Sequence, residues 1–156
     1  MSIYQNILVA IDLNEEADQV IQRAHQLALQ SSAKLTLVHV TEPLSYAYGG
    51  DMPMDLSSIQ TELYDQAQQR LSGLVQQKQL GEVDQLLLSG HIKTEVHRVA
   101  TELRSDLIVV GSHGRNSLAL LLGSTSNGIL QGATCDVLAV RAVSYTHLTL
   151  PTTAIV

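Results

Sequence analysis

The chain has 156 residues, a net charge of −6 and only nine Lys and Arg, scattered along its length. That length suits a single domain, and the lack of a basic stripe, of Phe and of Trp argues against nucleic acid and anionic membrane as partners. No apolar run approaches the roughly 20 residues that span a bilayer, and the opening MSIYQN lacks the form of a secretion signal, so a soluble, cytoplasmic protein is expected.

NILVAID, an apolar and β-rich run ending in Asp12, predicts a first strand covered on both faces, as in a parallel sheet. Asn14 is placed to cap the helix that follows, and Glu15 and Glu16 suit its positive end. Ala17, Val20, Ile21, Ala24, Leu27 and Ala28 form one apolar stripe along it. KLTLVHV predicts the second strand. The stretch TEPLSYAYGGDMPMD, with Pro43, Gly49, Gly50 and Pro53, is long for a plain connection and reads as a functional or mobile loop. Ser57 to Gln60 has the form of a capping box. After it Leu63, Ala67, Leu71, Leu74 and Val75 continue a helical spacing, begun at Leu56 and Ile59, as far as about Gln79.

EVDQLLLSG predicts a third strand, and Ile92, Val96, Val99, Ala100 and Leu103 place a helix after it. SDLIVVG is the fourth strand, Ser124 to Gln131 a short helix, and DVLAVR the fifth strand. Strands alternating with helices in this way predict an α/β fold: one domain with an open parallel sheet and helices on both faces. The domain is expected over residues 1–142. Residues 143–156 are expected to be a disordered or non-native tail, since they resemble translated adaptor sequence and carry Pro151 without a partner element. Cys135 is the only cysteine, which excludes an internal disulfide and a cysteine metal cage. It reads as a small buried residue before a strand.

Ligands of such sheets bind outside the carboxyl ends of the strands, where the strand order reverses. The turn after the first strand, DLNEEA, offers carboxylates instead of a glycine-rich cradle and is closed to phosphate. The fourth strand offers Gly111 and, after two residues, Gly114. Both permit backbone angles that turn consecutive amides inward as an anion nest. Gly123 and Ser124 open the last helix, whose free N–H groups could take a second phosphate. The alternative for all four is a glycine-rich joint and an ordinary helix cap. Arg115 is a candidate phosphate contact, or else an exposed loop arginine. His25, His39, His91 and His97 share no metal-binding spacing, so structural roles are expected for them. Asp12 has no identifiable acid or base partner, and no catalytic residue or metal ligand is predicted.

Taken together, ILVAID, KLTLVHV, SDLIVVGSHGR and GSTSNGILQGATCDVLAVR, spread from Ile3 to Arg141, resemble the universal stress protein (UspA-like) family. The resemblance implies a Rossmann-like sheet of the adenine-nucleotide alpha hydrolase type, ordered 3-2-1-4-5, that brings Asp12 and the Gly111 loop together. It implies ATP held by the pattern Gly, two residues, Gly, nine residues, Gly, Ser or Thr, which Gly111, Gly114, Gly123 and Ser124 match in type, with Thr125 a further candidate. Asp12 and Val40 match the positions around adenine and ribose, and Mg2+ would be held through the phosphates. Here the span from Arg115 to Leu122 is eight residues, and one missing residue displaces an end by up to about 3.5 Å. The family resemblance further implies a stress-signalling role with slow or no hydrolysis, protein partners, and a homodimer through the last strand, Asp136 to Arg141. A nucleotide-free dimer acting through protein contacts and Ser/Thr phosphorylation is the alternative.

Overall fold

The computed structural model describes residues 3–13, 16–43, 54–81, 83–111 and 124–141. In chain order the elements are β1 (Asn6–Ala10), α1 (Ala17–Ser31), β2 (Lys34–Thr41), α2 (Met54–Gln77), β3 (Asp84–Ser89), α3 (Ile92–Glu102), β4 (Leu107–Gly111), α4 (Ser124–Gln131) and β5 (Asp136–Val140). The strands form one five-stranded sheet in the order β3-β2-β1-β4-β5, and every neighbouring pair is parallel. The expected α/β architecture and strand order are therefore both present. β1 lies at the centre, with Val9 registered on Leu37 of β2 and on Val109 of β4.

Alternation along the strands divides the core in two. Ile7, Val9, Leu37 and Val109 join the α1 stripe and Leu71 of α2 on one face. Leu8, Val38, Ile108 and Val110 join Val96 and Val99 of α3 and Ile129 of α4 on the other. A strand buried on both faces does not need to alternate apolar with polar residues, which is why β1 and β4 read as near-continuous apolar runs. Leu8 and Val9 are each 0% exposed, and burying such a side chain contributes roughly 1.5–3 kcal/mol.

At the amino ends of the strands, the Asp106 carboxylate accepts the N–H groups of Gln5 at 2.9 Å and Asn6 at 3.0 Å. Asp106 N–H donates back to the Asn6 carbonyl at 2.9 Å. Tyr4 spans β4 to donate its hydroxyl to Asp136 of β5 at 2.8 Å. These bonds fix the entry of β1, β4 and β5 and leave the carboxyl ends as the face where a ligand would approach.

The helix ends depart from the sequence expectation. The residue preceding α1 is Glu16, without a side-chain cap bond, and Asn14 lies outside the described residues. α2 starts at Met54, so Ser57 falls inside the helix and the Ser57–Gln60 pair does not mark its beginning. At their far ends α1, α2 and α3 close with a left-handed residue that is not glycine: Ser32 (φ 54°), Gln79 (φ 52°) and Arg104 (φ 54°). In each, the next amide reaches back to the last turn, Ala33 to Ala28 at 2.8 Å, Leu80 to Val75 at 3.4 Å and Ser105 to Ala100 at 2.8 Å. The left-handed turn satisfies helix carbonyls that would otherwise lack donors. The expected tail falls on residues outside those described.

Candidate functional site

β1 continues one residue past its last ladder pair: Ile11 N–H donates to the Val38 carbonyl at 3.0 Å. Asp12 follows, three residues beyond Val9, while Gly111 lies two residues beyond Val109, the partner of Val9 in β4. Parallel strands rise roughly 3.3 Å per residue, so both residues emerge at the same carboxyl rim. Val40 is the penultimate residue of the neighbouring strand, β2, and is 7% exposed. The topology thus gathers three predicted site residues, Asp12, Val40 and Gly111, at the switch between β1, β2 and β4. Asp12 is exposed to solvent.

Two side chains hold the backbone on either side of Asp12. The His39 ring on β2 bonds the Ile11 carbonyl through Nδ1 at 2.7 Å; because a carbonyl only accepts, Nδ1 carries the proton. From α2, the Arg70 guanidinium donates to the Leu13 carbonyl. Sequence reading assigned His39 a structural role in general terms and missed Arg70, whose position on the polar side of a helix carries no local signal.

Gly111 ends β4 paired with Val140. Its backbone is outside the left-handed region, where among described glycines only Gly81 and Gly90 have positive φ. The expected reason for this glycine therefore needs correction. A Cβ at Gly111 would meet Val20 Cγ2 at 3.2 Å, so the missing side chain lets α1 pack closely against the strand end.

α4 stands behind that end. Ser126, 3% exposed, donates its hydroxyl to the Gly111 carbonyl, which ties the first turns of α4 to β4. At the other end of the helix His97 of α3 bonds the Ile129 carbonyl through Nε2 at 2.8 Å. Its ring occupies the space that any side chain at Gly132 would need. Ser126 was not singled out from the sequence, although a serine three residues from buried Ile129 is a polar residue on an inward-facing stripe. Gly114, Arg115 and Gly123 lie outside the described residues, and of Ser124 and Thr125 only their place in α4 is described.

At the described rim Asp12 presents an exposed carboxylate, a hydrogen-bond acceptor, whereas Val40 is packed into the core with Val96, Val99 and Ile129. Among the described residues no three His, Cys, Asp or Glu side chains gather as a metal site, and no helix is long and apolar enough to cross a membrane. An open groove along α2, lined by Asp65, Gln68, Gln69, Ser72, Gly73 and Gln76, draws all its lining from one helix and brings no second element to a ligand.

Residues 3–141 match the model of the universal stress protein family. Universal stress protein A homolog 1 of Coxiella burnetii is 41% identical over 138 residues, covering 88% of this chain and 96% of that protein. Among solved structures, the universal stress protein UspA from Lactobacillus plantarum superposes with a TM-score of 0.70 at 25% identity, covering 90% of this chain and 100% of its own. A universal stress protein in complex with cAMP superposes with a TM-score of 0.59 at 24% identity, covering 90% and 98%.

Proposed function

The chain belongs to the universal stress protein family, and from that premise we propose that it binds ATP at the carboxyl ends of β1, β2 and β4. Occupancy of the site serves as a signal in a cytoplasmic stress response, with slow hydrolysis or none. The observation that carries this reading is the convergence of Asp12, Val40 and Gly111 on one rim, with α4 tied to Gly111 through Ser126. The complex of a structural relative with cAMP, a ligand that shares the adenine base, supports it.

In this reading Val40 lies against the base, Asp12 accepts from the ribose, and the amides at Gly111, Gly114, Gly123, Ser124 and Thr125 receive the phosphates, with Arg115 a further contact. A bound Mg2+ would be held through the phosphates and would offset part of their charge. Among the described residues of the rim Asp12 has no acid or base partner, and in this reading the nucleotide is kept rather than turned over rapidly. Calorimetric titration with ATP and Mg2+ tests the proposal. Saturable binding that Gly114→Val abolishes is the expected result, and absence of binding by the unaltered chain refutes it.

The eight-residue span from Arg115 to Leu122 favours a second reading, a nucleotide-free dimer that acts through protein contacts and Ser/Thr phosphorylation. The ultraviolet spectrum of the purified protein separates the two, because a chain without Trp leaves bound adenine conspicuous. Both readings include a homodimer through Asp136 to Arg141. β5 is an edge strand whose Val137, Leu138 and Ala139 are only partly buried, and an apolar edge favours pairing with another strand. A monomeric mass at micromolar concentration would count against the dimer.

A further inference from the structure

The segment that carries Asp12 is held at four points, though it lies beyond the end of its strand. Ile11 N–H donates to Val38 O at 3.0 Å, and Ile11 C=O accepts from His39 Nδ1 at 2.7 Å. Leu13 C=O accepts from Arg70, and the Leu13 side chain packs against the core between α1, α2 and the sheet. The donors come from afar: His39 is 28 residues from Ile11 and Arg70 is 57 residues from Leu13. Arg70 is itself set by the next residue of α2, Leu71, which is 2% exposed. Between these anchors the Asp12 side chain is exposed to solvent. A backbone fixed on both sides of one free-facing carboxylate is the arrangement expected where the direction of that carboxylate matters.

Resting on the nucleotide reading above, we infer that His39 and Arg70 are positioning residues, which hold the Asp12 carboxylate at the place where it accepts a ribose hydroxyl. Neither touches the nucleotide. Arg70 spends its guanidinium on a main-chain carbonyl, and His39 spends its Nδ1 proton on another. Their contribution is selectivity for ribose over deoxyribose, because a carboxylate accepts a hydroxyl proton and gains nothing from a hydrogen in its place.

The experiment compares dissociation constants for ATP, 2′-deoxy-ATP and 3′-deoxy-ATP, with Mg2+, for the full chain and for Asp12→Ala, Arg70→Ala and His39→Gln. Loss of one hydrogen bond to a charged group amounts to about 10-fold or more, so the unaltered chain should prefer ATP over one deoxy analogue by at least that factor. Asp12→Ala should bring the ratio to about one. Arg70→Ala should cut it to roughly threefold or less, by weakening ATP while leaving the discriminated analogue within about twofold. His39→Gln should lower the ratio in the same direction.

A guanidinium that acted only by attracting phosphate, or only by stabilising the fold, would weaken ATP and the analogues equally. That outcome overturns the inference, as does an unchanged ratio in both Arg70→Ala and His39→Gln. If the unaltered chain binds ATP without discriminating either analogue, the inference falls and the nucleotide reading stands. If it binds no nucleotide, both fall. Arg70 is solvent-exposed, so its replacement tests positioning without opening the core.

Discussion

Replacing Gly132 by alanine sets local preference against tertiary contact, and the two predict opposite signs. Gly132 follows α4 and is not among the residues with positive φ. Removing glycine's freedom in the unfolded chain should therefore stabilise by roughly 0.4–1 kcal/mol. The packing says otherwise. A Cβ there would sit 2.5 Å from His97 Cε1 and 2.9 Å from His97 Nδ1, so the ring must turn away and give up its 2.8 Å bond to the Ile129 carbonyl. Ile129 is 0% exposed, and stranding a buried acceptor costs about 1–3 kcal/mol. The expected net effect is a loss of about 1–2 kcal/mol, with Tm lowered by roughly 2–4 °C for each of them in a chain of this size. In a His97→Ala background the obstruction is gone, and the same substitution should be neutral or stabilising. Urea and thermal unfolding of the four members of this double-mutant cycle measure the coupling. A Gly132→Ala variant that is more stable in the unaltered background, or equally destabilised in both, would refute the reasoning.

Gln79→Gly should raise stability by about 0.5–1 kcal/mol in urea unfolding, since Gln79, two residues past the end of α2, has φ 52° and a left-handed residue with a Cβ costs roughly 1–2 kcal/mol. The hydrogen bond to Asp136 is the main cause that holds the Tyr4 phenol above the ordinary tyrosine value, burial and the charges of Asp136 and Asp106 adding to it. Its folded pKa is raised, so the stabilisation is fully present below about pH 10 and is lost as pH rises through the folded value. Tyr4→Phe should thus flatten the fall in stability at alkaline pH, and ultraviolet titration should lose one tyrosine that titrates above the ordinary value. Burial is also the main cause that raises the Cys135 thiol, with Asp136 and Asp106 adding to it. At pH 8 its reaction with an aromatic disulfide should be slower in the folded chain than in urea. Equal rates would contradict that account.

Much of the architecture was legible along the chain because it has a local period. Of the α1 stripe, Ala17, Val20, Ile21, Ala24 and Ala28 are buried as the helical spacing predicts, and the unbroken apolar runs of β1 and β4 foretold helices on both faces. Asp12, Val40 and Gly111 lie at or near the carboxyl ends of β1, β2 and β4, because strand order and parallel register bring such ends together wherever a sheet is doubly wound. Tertiary structure alone decided what surrounds them. That Gly111 yields room to Val20, that Ser126 ties α4 to β4, and that His39 and Arg70 flank Asp12 are contacts between residues 15 to 91 positions apart, set by how the elements dock. Such contacts leave no periodic trace, since each depends on the meeting of elements that fold separately in sequence. The helix ends tell the same story: no glycine marks Ser32, Gln79 or Arg104, and it is the return of the chain into the sheet that holds them left-handed.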